Sequence, residues 1–138
     1  MQLRLKYPPT VENAPKFAAD IVASAAEISG VDLDYSVASL KTVDNIVEGM
    51  RQDGCTSDQI AATLFGFGCY VGEVLVRHAG GNWRNTDETS MAELVGFPLV
   101  IELGKDCLCN PIGKVFKRLE NGESDSLPYF YQAFTTRG

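Results

Sequence analysis

The chain has 138 residues, 45% hydrophobic and 22% charged, the mix of a folded domain rather than a disordered segment. Twelve Lys and Arg stand against eighteen Asp and Glu, a net charge of −6 that argues against nucleic acid as a partner. At this length a single domain over 1–138 is expected, with residues 1–9 as an extended lead-in.

The opening Met1-Gln2-Leu3-Arg4-Leu5-Lys6-Tyr7 has two basic residues but no apolar stretch or cleavage pattern, so no secretory signal is expected. Gln59 to Gly72, the longest largely apolar run without a formal charge, is too short and too rich in glycine to span a membrane. No membrane association is expected. Cys55, Cys69, Cys107 and Cys109 then read as reduced thiols of a cytoplasmic protein.

The first half has helical period. Caps at Thr10 to Asn13 and a tolerated Pro15 lead into Ala14, Phe17, Ile21, Val22, Ala25 and Ile28, and Gly30 stops the run. A second helix, capped by Asp34 or Ser36, carries Val37, Leu40, Val43, Val47 and Met50 and closes at Gln52-Asp53-Gly54. A third follows the capping box Thr56-Ser57-Asp58-Gln59 and ends at Gly80-Gly81. Its apolar side is Ile60, Leu64, Phe67, Val71, Val74 and Leu75.

The second half changes character. A polar segment from Asn85 to Ser90 leads to a short helical turn around Met91 to Val95. A hairpin over about 97–109 then joins a strand from Phe97 or Leu99 to Leu103, a turn at Gly104-Lys105-Asp106, and a return through Cys107-Leu108-Cys109. Asn110-Pro111 starts a fourth helix, which stops at Asn121-Gly122, and a fifth begins near Asp125-Ser126 with Leu127, Phe130, Tyr131 and Phe134. Three helices, a small antiparallel sheet and two more helices make an α+β fold.

Gly66, Gly68 and Gly72 interrupt the third helix at a cost of roughly 1 kcal/mol each against alanine. Their spacing fits neither a dinucleotide fingerprint nor a phosphate loop, so close packing is the expected reason and no cofactor is expected. Glu73 and Arg77 have the favourable i,i+4 order of a structural ion pair, and such pairing lowers a carboxyl's pKa, against a general-acid role. His78, the only histidine, sits where an imidazole hydrogen-bonds a helix-end carbonyl. The cysteines lack metal-ligand spacing, and no metal site or catalytic set is expected. In the fourth helix Ile112, Val115, Phe116 and Leu119 face inward, while Lys114, Lys117 and Arg118 are expected on the outer face as a cationic patch that pairs with Glu120, Glu123 and Asp125.

Gly72-Glu73-Val74, Gly80-Gly81-Asn82-Trp83 and Asn110-Pro111-Ile112-Gly113-Lys114-Val115, continued by Lys117-Arg118-Leu119-Glu120-Asn121-Gly122 and Asp125-Ser126-Leu127, resemble a family of small uncharacterised bacterial proteins. The resemblance covers roughly residues 33 to 134. It implies a bacterial origin and a shared fold, and transfers no site residue.

The function expected from these features is non-enzymatic binding of another protein, of accessory or immunity type, or of a second copy. Glu73, Arg77, Trp83, Lys114, Lys117 and Arg118 are the candidate binding residues, with an exposed apolar patch near Trp83 or near Tyr129, Phe130 and Tyr131. The alternative is a small hydrolase or ligand-binding enzyme with Glu73, Arg77 and His78 converging in a pocket.

Overall fold

The apolar periods and caps place the helices where the sequence reading puts them. α1 (Ala14–Ser29) ends at Gly30 in the left-handed conformation, α2 spans Ser39–Gln52, and α3 spans Ala61–Ala79. This computed structural model describes residues 4–93, 96–105 and 107–136. Among these, β1 (Gly81–Asn85), β2 (Leu99–Leu103) and β3 (Leu108–Cys109) form one antiparallel sheet in that order, followed by α4 (Pro111–Asn121) and α5 (Leu127–Thr135). The protein is α+β. No helix among the described residues is long and apolar enough to cross a membrane.

Local chemistry explains the boundaries. Thr56 N donates to Gln59 Oε1 (3.0 Å) and Gln59 N to Thr56 Oγ1 (3.3 Å), a reciprocal box that shapes the turn before α3. Asn110 Oδ1 accepts from Gly113 N at 2.9 Å and starts α4, with Pro111 needing no donor partner there. Ser126 caps α5.

α3 is the axis of the molecule. The sequence period puts its apolar residues on one side, but Leu64 through Leu75 are all buried, so the helix is enclosed on every side by its neighbours. The glycines make this possible. A Cβ on Gly66 would strike Ile21 of α1, one on Gly68 would lie 2.5 Å from the Ile112 Cα of α4, and one on Gly72 would enter the Trp83 ring of β1. Close packing, not a cofactor loop, is what they serve.

Some placements differ from the sequence reading. Residues 81–85 form the first strand, paired from Gly81↔Leu103 to Asn85↔Leu99, between the expected helix stop at Gly80-Gly81 and the polar segment from Asn85, where no element was expected. The hairpin is confirmed, with Ile101 opposite Cys109, although its return strand has only two residues. Met91–Glu93 form a turn; Leu94 and Val95, the rest of that expected helix, and Asp106 in the hairpin turn lie outside the described residues. Ile28, expected in the α1 core stripe, is 82% exposed, and Val37 is exposed as well.

Candidate functional site

The candidates at the end of α3 converge. Glu73 is only 6% exposed, and its Oε2 accepts the Trp83 indole N–H at 3.0 Å while Arg77 Nη2 approaches Oε1 at 3.8 Å. Gly72 and Glu73 together therefore hold the tryptophan, the first by giving the ring a flat seat and the second by taking its proton donor. Arg77 also lies over the Tyr35 ring, 3.6 Å from its centroid, and His78 Nε2 is 2.9 Å from the Tyr35 carbonyl oxygen. Tyr35 has φ +64 and stacks on Tyr70, whose hydroxyl accepts from Tyr35 N (2.8 Å) and bonds Ser39 Oγ (2.6 Å). Burial raises the pKa of both tyrosines.

The Glu73 carboxylate, the Tyr70 hydroxyl and His78 Nε2 each have an internal partner. These contacts tie the loop before α2 and the first strand to α3. Trp83, expected in an exposed patch, is 8% exposed and belongs to the core. Cys69 is buried one turn before Glu73. Burial first and the Glu73 charge second push its thiol up, and burial likewise lifts Cys109 to about 12.

The expected cationic patch on α4 needs correction. Arg118 is 1% exposed and points into the junction of α2, α4 and α5. Its Nε and Nη2 donate to Asp44 Oδ1 (2.9 Å) and Oδ2 (3.2 Å), and Nη1 donates to Glu48 Oε1 at 2.8 Å. Burial pulls the guanidinium's pKa down, but these carboxylates outweigh it and hold the pKa above the usual value. Asp44 Oδ1 also accepts the N–H of Leu127, the first residue of α5. Lys114 is paired with Asp125 at 2.6 Å, as expected, so Lys117 alone of the three is exposed. No surface patch forms from this trio.

The uncovered apolar surface lies elsewhere. α1 packs along α3, whereas α2 leans on α4 and α5, and between α1 and α2 runs an open groove of about 550 Å³ floored by Thr63 and Phe67 of α3. Ile21, Ala25 and Ile28 form one wall, and Ile46, Met50 and Asp53 the other. Sequence reasoning missed it. The signal was the α1 period itself, since Ile28 continues the apolar stripe beyond anything that covers it. Phe130, expected to be exposed, is buried, whereas its neighbour Tyr129 is 62% exposed.

No family model matches the chain, and comparisons with curated proteins and with solved structures likewise find no match.

Proposed function

We propose that this is a non-enzymatic protein-binding domain of the bacterial cytoplasm, accessory or immunity-like in role, and that its contact surface is the groove between α1 and α2. One observation carries the reading: a groove of about 550 Å³ with mainly apolar walls stays open beside an isoleucine that is 82% exposed, surface that a partner could cover. Supporting it, the residues that suggested hydrolysis (Glu73, Arg77 and His78) are all engaged in holding Trp83 and Tyr35. The residues behind the family resemblance are engaged in the same way: Gly72 and Glu73 with Trp83, Asn110 with Gly113, Lys114 with Asp125, and Arg118 and Leu127 with Asp44. They build the fold, and binding falls to side chains outside that pattern. The net charge of −6 favours a basic protein over nucleic acid.

A photo-crosslinking residue at Ser24, within the groove, tests this in lysate of the native cell. The expected result is one discrete protein adduct, lost in Ile28→Asp and absent when the label is moved to Lys117. Labelling at Lys117 but not Ser24, or no protein adduct at all, overturns the reading.

A further inference from the structure

We infer that the groove receives a short amphipathic helix of a partner protein, with a basic edge that meets Asp53; this rests on the protein-binding reading above.

The walls decide the shape of the occupant. Ile21, Ala25 and Ile28 recur at steps of four and three on α1, and Ile46 and Met50 of α2 continue at the same steps to Asp53, its C-cap. From Ile21 to Ile28 a helix rises about 10 Å, so the groove matches two to three turns of a partner helix. Both walls are helices whose backbone groups are bonded within themselves, so the groove offers no ladder to an added strand. A helical segment needs none, since it satisfies its own backbone. Its apolar side chains at i, i+3 or i+4, and i+7 then fill the space between Ile28 and Met50.

Charge decides the partner's edge. Asp53 is the one charged residue among the described lining residues, and its carboxylate has no hydrogen-bond or ion-pair partner among the described residues. No Lys, Arg or His lines the groove among those residues. The groove runs along the C-terminal halves of both helices, where the carbonyl ends carry partial negative charge, and the last turn of α1 holds no basic residue to offset it. The basic residue in the last turn of α2, Arg51, is directed to Glu48 (3.5 Å) and lies against Gly122 instead. An exposed carboxylate beside two negative helix ends attracts Lys or Arg on the incoming helix. A second copy of this chain brings another −6 and a second such groove, which disfavours self-association through this face.

The test uses a labelled synthetic helix of about 16 residues, with Leu at i, i+3, i+4 and i+7 and Lys on the remaining faces, titrated with the full chain. The Lys peptide is expected to bind saturably, to weaken at least about tenfold with Ile28→Asp, and to weaken about three- to tenfold with Asp53→Lys or on raising salt from ~50 to ~500 mM. Both substituted side chains are exposed, and unchanged melting temperatures confirm that the variants fold. A matched Glu peptide is expected to bind at least about tenfold more weakly. Equal binding of the two peptides overturns the basic edge and leaves the protein-binding reading standing. Failure of both, alongside a protein adduct at Ser24, overturns the helical occupant, whereas the absence of any adduct brings down the reading beneath it. Sedimentation is expected to show a monomer, and a dimer dissociated by Ile28→Asp overturns the inference in favour of a second copy.

Discussion

The two faces of α2 solve opposite problems. One buries Asp44 and presents Glu48 to a guanidinium that water scarcely reaches, and every charge there is matched by a donor or acceptor at hydrogen-bond distance. The other turns the half-buried Ile46 and Met50 to a groove that stays open between them and the α1 wall. Buried charge demands closure, because an unmatched ion inside a protein is expensive, whereas uncovered hydrocarbon costs little and can wait for a partner. On the proposed reading, the buried charges of α2 serve the fold and its apolar side serves binding.

Breaking the closed face has the largest expected effect. Asp44→Ala leaves the buried Arg118 with Glu48 alone and frees the Leu127 N–H, and is expected to cost about 3–5 kcal/mol in urea unfolding. Combining it with Arg118→Met should cost less than Asp44→Ala alone, because the under-bonded buried guanidinium is gone. Next comes Gly72→Ala, whose methyl meets the Trp83 ring; a loss of about 1–3 kcal/mol and a shifted tryptophan emission are expected. Glu73→Leu leaves the indole N–H without an acceptor and is expected to cost about 1–3 kcal/mol, while Glu73→Gln keeps an acceptor and should cost less.

Acid sharpens the contrast further. Hydrogen bonds from Arg118 and then Gln52 hold the Glu48 carboxyl below the usual range, and Lys114 followed by Asn121 does the same for Asp125. A carboxyl lowered on folding contributes stability that is complete above its unfolded pKa, near 4, and disappears as pH falls through the lower folded value. Thermal melts should therefore be level from neutral pH to about 5 and decline below about 4, with Lys114→Met removing part of the decline. The smallest effect on stability belongs to the open face. Ile28→Asp should change it by less than about 0.5 kcal/mol while abolishing crosslinking at Ser24.

The helices were legible because period, caps and stops agreed, as at Asn110-Pro111 and Gly30. The first strand was not: Gly81-Asn82-Trp83-Arg84-Asn85 shows no clean alternation, and its state comes from pairing with β2 and from the tryptophan seated on Gly72. Local patterning gave the pairing of Glu73 with Arg77, but His78 meets the carbonyl of Tyr35 in the loop before α2 instead of one at its own helix end, and the proton that Glu73 accepts comes from a strand the sequence did not reveal. Arg118 follows Val115 by three residues and so lies at the margin of the buried face, where a helical projection reads it as surface. Its partners are seventy residues or more away on α2, and no local window contains them. The groove was hidden for a different reason. Periodicity says which side of a helix is apolar, but not whether anything in the chain lies against it.

The distance between Asp44 and its cation sets an order of events on the ribosome. Seventy-four residues separate them, and at ordinary speeds of translation that length takes ~4–15 s to make. Throughout that interval Asp44 on the nascent α2 lacks the cation that matches it, so water holds its inner side, and that side turns inward only when the later part of the chain emerges.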